Sequence, residues 1–385
     1  MNVDLTPEDI SDSFVSSTAR VQDVIHKDDV LAEPDPTVAG DSEALALPAS
    51  ALEQITWPQD KEAPDYAFLT TEAEPGDFLL SAAVLEGLFT ANSFEPFRDH
   101  GVVAFALRGA ELKAGHEALE VGQVEVRSVR PDHMTLKCLL GFYFLETGKL
   151  SVFSGSTVPC RKAVHAQASS AGRVSNMLPT GMYTYHVWRH RDLPVALRLC
   201  VGNASVETLE RGAVATVLRN RNDRMIDTLD LFDKSTPIDN VHCTYYLDQV
   251  QSLGASFSSW GCLTVRGQKT PNEQWQKFVA VLEALGETKR VDLALLTGKE
   301  VGVAARGLDN PSLVALRPGS RGDKVAQIQG LLGMTESGYF GPTTADLITA
   351  HQRKLHEELG LGRTATGIYT PAFDALSGWG IYPSA

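Results

Sequence analysis

With 385 residues, 43% of them hydrophobic, the chain is long enough for two or three domains and a sizeable core. Its net charge of −14 is concentrated at one end: residues 1–65 hold 15 Asp/Glu against 3 Lys/Arg, and the rest is near neutral, without the clustered cations that a nucleic-acid partner requires. No run approaches the ~20 apolar residues of a membrane span, and Met1-Asn2-Val3-Asp4 lacks the basic and apolar regions of a secretory signal.

Residues 1–65 read as an acidic, flexible leader rich in Ser, Ala and Pro, with Thr6-Pro7-Glu8-Asp9 a candidate for a short helix. From Gly76 to Asn92, the apolar positions Phe78, Leu79, Ala82, Val84, Leu85, Leu88 and Phe89 predict an amphipathic helix. Val102–Gly109 reads as a strand, and strand-like runs follow at 123–129, 134–145, 149–157, 181–190, 195–201 and 213–219. This β-rich middle points to a sandwich or curled sheet rather than alternating βαβ units. Thr270-Pro271-Asn272-Glu273 resembles a capping box opening a helix through Leu285, with Trp275, Phe278, Val279 and Leu282 toward the sheet.

The chemistry centres on His242, followed by sixteen residues and then Ser259-Trp260-Gly261-Cys262. A free thiol with a pKa of ~8.5 is only a few per cent thiolate at neutral pH, so an attacking Cys needs a base or cation beside it. Glycine before the Cys lets a substrate approach the backbone, whose N–H groups can hold an oxyanion. Cys243 points away from His242's face on a strand, and Cys138 and Cys200 sit in apolar runs as small hydrophobes. On the Thr180-Gly181 strand, Tyr183 and Tyr185 share one face and His186 takes the other. Five cysteines without a C-x-x-C pair, no H-E-x-x-H, no G-x-S-x-G and no phosphate loop leave no metal, cofactor or serine triad expected.

Taken with Leu178-Pro179-Thr180-Gly181-Met182-Tyr183-Thr184 upstream, the His-spacer-Ser-x-Gly-Cys layout resembles the L,D-transpeptidase (YkuD-like) catalytic family of bacterial cell-wall enzymes, over residues 140 to 285. Trp260 stands where that family has His. Thr264 stands where it has Arg or Asn, with Arg266 the nearest candidate. The resemblance implies Cys262 as nucleophile, His242 as base, Ser259 shaping the loop, and the N–H groups of Gly261 and Cys262 as the oxyanion site. Thr180, Gly181, Tyr183, Trp260 and Arg266 would meet substrate.

Toward the C-terminus, Leu316-Arg317-Pro318-Gly319-Ser320-Arg321-Gly322-Asp323, Gly338-Tyr339-Phe340-Gly341-Pro342 and the echo Gly367-Ile368-Tyr369-Thr370-Pro371 resemble the three-helix peptidoglycan-binding domain, across 312–380. The expected organisation is a leader (1–65), a β-rich catalytic region (66–307, with 66–140 an elaboration of a 141–290 core) and a peptidoglycan-binding module (312–385). The fold class is α+β: an L,D-transpeptidase-like sandwich or curled sheet with a small all-α domain. These resemblances imply a cysteine acyltransferase or peptidase that forms a thioester with the stem peptide of peptidoglycan and passes it to an amine or to water. It would act at the cell wall or periplasm after non-Sec delivery by a secretion apparatus or phage-type particle. Two alternatives stand beside it: a non-catalytic wall-binding or secretion-associated scaffold, and a delivered toxin or lysin.

Overall fold

A computed structural model describes residues 68–69, 73–166, 175–191, 193–200, 205–219, 231–237, 239–245, 255–268, 273–361 and 365–382. The acidic leader, Thr270–Asn272 and their proposed features lie outside these residues.

The first described elements depart from expectation. Residues 77–81 do not open a helix: they form strand β1 (Asp77–Ser81), and helix α1 (Ala82–Ala91) begins only afterwards. The reason is pairing, since Phe78 lies opposite Val126 and Leu80 opposite Val124 on β5 (Gln123–Ser128). Phe78 and Leu80 thereby bury while Leu79 faces out, the period of a strand rather than of a helix. The strands β2 (Val102–Arg108), β3 (Ala110–Leu112), β4 (Ala118–Val121), β6 (Cys138–Phe144) and β7 (Lys149–Ser156) belong to the same half of the chain. After the short helix α2 (Arg161–Ala166) come β8 (Asn176–Met177), β9 (Gly181–His190), β10 (Leu193–Leu199), helix α3 (Val206–Arg211), β11 (Ala215–Arg219) and β12 (Leu231–Ser235). The remaining strands are β13 (Val241–Cys243), β14 (Leu263–Val265) and β15 (Arg290–Thr297), with α4 (Gln274–Leu285) before β15 and α5 (Gly298–Arg306) after it.

The fold is mixed α and β around a sheet that curls to closure. In the order β14-β13-β10-β9-β15-β2-β6-β7, each strand bonds the next, and β7 returns to β14 through Thr264–Ser156 and Val265–Gly155, with β4 added outside β7. The seam needs glycine: a Cβ at Gly155 would fall 2.1 Å from the Thr264 carbonyl oxygen. Two smaller three-stranded sheets, β1-β5-β3 and β12-β11-β8, flank this structure.

Alternation divides the closed sheet into two faces. One carries Ala104, Ala106, Phe142, Phe153, Tyr185, Leu197, Val241, Cys243, Leu263 and Leu293, which pack on Trp275, Phe278, Val279 and Leu282 of α4. Phe278 lies 4.5 Å from Phe142 and 5.7 Å from Phe153, ring to ring, and burying such a side chain stabilises the fold by roughly 1.5–3 kcal/mol. The four inward positions of α4 therefore match the sequence pattern. Its start does not, since Gln274 is the first helical residue and Trp275 donates its N–H to the Arg266 carbonyl. The other face, with Val103, Phe105, Leu107, Leu139, Ala294 and Leu296, is covered by α1 and α5.

Residues 290–306, for which the sequence reading names no element, form β15 and α5. Thr297 and Glu300 make a reciprocal capping box at the start of α5. Thr297→Ala is expected to lower stability by about 1 kcal/mol, read as a shift in the urea midpoint at constant slope.

The C-terminal helices α6 (Asp323–Leu331), α7 (Pro342–Glu358) and α8 (Pro371–Ser377) enclose a core of Leu316, Val325, Ile328, Phe340, Ile348, Tyr369 and Phe373. Its two turns are held alike. Gln329 donates to the Tyr339 carbonyl and accepts from the Gly338 N–H; Gln352 donates to the Ile368 carbonyl and accepts from the Thr366 and Gly367 N–H groups. A duplicated glutamine clamp thus underlies the echo in the sequence.

These helices are docked, not hanging from a linker. Arg317, wholly buried, donates to Glu300 Oε2 at 2.6 Å and to Thr180 Oγ1 at 2.8 Å, while Glu300 Oε1 accepts the Thr297 N–H at 2.7 Å. Nearby, Met182 donates its N–H to the Pro318 carbonyl and Ser320 Oγ donates to the Asn92 carbonyl. On another side, Lys234 Nζ donates to Thr343 and Thr216 Oγ1 to Asp346. Among the described residues no helix is long and apolar enough to cross a membrane.

Candidate functional site

A parallel strand pair places Cys262 two register positions from His242. β13 and β14 lie side by side with His242 opposite Thr264, so Cys262, one residue before β14, sits beside Asn240, one residue before β13. Two bonds fix this register: the Asn240 N–H donates to Cys262 Sγ at 3.3 Å, and Leu263 returns its N–H to the Asn240 carbonyl at 2.9 Å. Strand alternation then sends Asn240 and His242 to one face, and Val241 and Cys243 to the α4-packed core. Burial there pushes the Cys243 thiol up to about 11, so it stays protonated at neutral pH.

The His242 ring is buried and oriented. Its Nδ1 lies 2.6 Å from the Cys243 carbonyl oxygen, which can only accept, so the ring proton is on Nδ1 and the basic lone pair on Nε2. One face stacks on His190 at 4.8 Å and 4°, and Tyr245 lies 5.2 Å away, ring to ring. Asn240 Nδ2 lies 2.7 Å from His190 Nδ1.

The Cys262 loop is tied by Ser259, whose hydroxyl donates to the Cys262 carbonyl at 2.6 Å and accepts the Gly261 N–H at 3.1 Å. The Gly261 N–H does not point to a free oxyanion position, because the serine oxygen already takes it. Gly261 is required sterically: a Cβ would lie 1.9 Å from the Asn176 carboxamide and 2.5 Å from Asp239 Oδ1. Asn176 donates its N–H to the Trp260 carbonyl and, with its amide nitrogen turned inward, reaches both Asp239 oxygens at 3.0 and 2.7 Å.

Two further groups bear on the sulfur. The Tyr185 hydroxyl donates to the Asp239 carbonyl at 3.0 Å; burial, then the Asp239 and Cys262 charges, hold this phenol well above its ordinary range and therefore neutral. The Arg198 guanidinium donates to the carbonyls of Leu209 and Glu210, each at 2.7 Å. Burial lowers its affinity for the proton, while Cys262 and Cys200 oppose that shift.

Other expected site residues lie elsewhere. Thr180 and Gly181 do not line the cysteine: Thr180 is bonded to Arg317, and Gly181, paired with Leu295, precedes the Met182–Pro318 contact. Tyr183 donates to the Pro179 carbonyl at 2.7 Å within the same turn. This stretch meets the C-terminal helices because the extended Thr180-Gly181 backbone lies against Arg317-Pro318. Trp260 packs on the cluster of Val158, Cys160, Ala163, Met177, Ala255 and Phe257. Arg266 follows β14 with its N–H on the Ser154 carbonyl.

Asn240, Arg198, Asn176 and Asp239 were not singled out from sequence, and His190 was weighed only with His186 as a metal-ligand pair, which the strand pattern disfavours. Arg198, a lone charge in the run Leu193–Cys200, carried a signal; the others are ordinary polar residues that only the strand register brings to the sulfur. Among the described residues no group of three or more His, Cys, Asp or Glu is placed to hold a metal ion. No family model, curated protein or solved structure matches the chain.

Proposed function

We propose that the chain is a cysteine enzyme of bacterial peptidoglycan, an L,D-transpeptidase-like acyltransferase or peptidase, with the C-terminal helices as its wall-binding module. The observation that carries this reading is the β13–β14 register, which sets Cys262 beside Asn240-Val241-His242 with the His242 lone pair on Nε2. In the reaction, Nε2 takes the thiol proton as sulfur attacks the amide carbonyl of the third stem-peptide residue, a diamino acid. The C–N bond then breaks, the leaving amine takes the proton from His242, and a thioester remains. An amine acceptor gives a cross-link or amino-acid exchange; water gives carboxypeptidase or endopeptidase products. With Gly261 engaged by Ser259, the Cys262 N–H is the first candidate donor to the oxyanion. The protein would act at the wall or periplasm.

A second reading, a wall-binding scaffold without chemistry, is favoured by one observation: Cys262 is only 2% exposed. Incubating the full chain and Cys262→Ala with defined muropeptides, and reading products by mass spectrometry, separates the two. Loss of a terminal residue, exchange or new cross-links, all absent in the variant, is the expected result. Unchanged muropeptides with both proteins, alongside intact binding to sacculi, would leave the scaffold standing.

A further inference from the structure

We propose that Asn240 and His190 are positioning residues that hold the Cys262–His242 pair in reactive alignment, an inference that rests on the reading above. Asn240 touches both sides. Its main-chain N–H reaches Cys262 Sγ at 3.3 Å, and its side-chain nitrogen reaches His190 Nδ1 at 2.7 Å. With the Asn240 carboxamide turned nitrogen-first, as the 2.7 Å contact has it, the amide donates, His190 Nδ1 offers a lone pair and the ring proton sits on Nε2. His242 is in the opposite state, with its proton on Nδ1 toward the Cys243 carbonyl. The two rings lie face to face at 4.8 Å and 4°, both buried.

Three consequences follow from this geometry. The flat ring of His190 blocks rotation of the His242 imidazole about its Cβ–Cγ bond, keeping Nε2 aimed in one direction. The Asn240 donor opposes a proton on His190 Nδ1, which would set an N–H against an N–H, so the imidazolium formed when His242 takes the thiol proton stacks on a ring held in its Nε2–H form. Meanwhile the Asn240 main-chain N–H, a donor to sulfur, strengthens as the thiol becomes a thiolate. One residue thus steadies both partners.

The test uses the full-length chain labelled with ¹⁵N-histidine, with ring nitrogens followed by long-range proton–nitrogen correlation and assigned with His190→Phe and His242→Gln. The expected wild-type spectrum has His242 protonated on Nδ1 and His190 on Nε2, and in Asn240→Ala the His190 tautomer becomes mixed. With muropeptide substrate, Asn240→Ala and His190→Ala should lower kcat by between about tenfold and a hundredfold with little change in KM, the scale of a misplaced catalytic group. His190→Phe, which keeps a flat ring, should recover part of the loss. A His190 proton on Nδ1 in the wild type, an unchanged spectrum in Asn240→Ala, or equal activity in His190→Phe and His190→Ala would each overturn the proposal. Absence of wild-type turnover would overturn the enzymatic reading instead, and the nitrogen shifts alone would then decide whether Asn240 fixes the two rings.

Discussion

Replacing Glu300 by alanine is expected to lower the stability of the protein by about 3–5 kcal/mol, the cost of stranding one member of a buried ion pair. Both partners are fully buried, and Glu300 uses both carboxylate oxygens: one on Arg317, the other on the Thr297 N–H at the start of α5. Removing it leaves the Arg317 guanidinium with Thr180 but no carboxylate, and unties the helix cap in the same step. Arg317→Ala should cost a similar amount, because Glu300 is then left charged in the interior. Replacing both by apolar side chains of similar volume should cost far less than the two single changes together, since the remaining loss is chiefly the cap. Urea unfolding of the four proteins gives the comparison. A single-variant loss below about 1 kcal/mol would mean that water reaches the pair and that the C-terminal helices are not held by it.

Replacing His242 by glutamine is expected to lower kcat on muropeptides by about 10²–10⁴-fold, the range associated with a positioned general base, with KM little changed. The change removes the Nε2 lone pair while keeping a polar side chain of comparable reach. It should also change the response to pH. Without an internal base, the residual rate follows the fraction of Cys262 already ionised, and so rises about tenfold per unit of pH until the thiol titrates. A flat residual profile, or a rate within a few-fold of wild type, would remove His242 from the mechanism.

How much of this was legible in the sequence depended on whether neighbours in the chain decide the structure. β9 (Gly181–His190) has the bounds read from the sequence, and the strands at 102–108, 123–128, 138–144 and 149–156 lie within their expected runs, because apolar alternation and turn residues are local signals. The inward face of α4 was readable for the same reason. The strand at 77–81 was not: Phe78-Leu79-Leu80 fits either period, and only pairing with residues 123–127 decides it. Closure of the sheet was equally invisible, since β7 and β14 meet across more than a hundred residues through two short contacts.

At the site, the spacing from His242 to Cys262 pointed to a pair; the β13–β14 register sets Cys262 beside Asn240, with His242 two residues farther along and opposite Thr264. The same spacing held no trace of Asn240 or His190. Thr180-Gly181 was assigned to substrate from its motif, yet its contacts are with Arg317 and Pro318, far along the chain. Docking of one part of a chain on another leaves little mark on local sequence, apart from an arginine in an otherwise apolar stretch.

The seam between β7 and β14 bears on how the molecule assembles. Ala104 pairs with Leu293, and Ser156 with Thr264, so the central sheet forms only after distant segments have found one another, and chains dominated by such contacts fold slowly. Cys262 lies one residue from the strand that completes the ring, and its neighbours come from β9, β10 and β13. Until β14 lies beside β13, Cys262 has no Asn240 N–H against its sulfur. The thiol, only 2% exposed in the folded chain, is therefore covered and partnered only after segments far apart in the sequence have met.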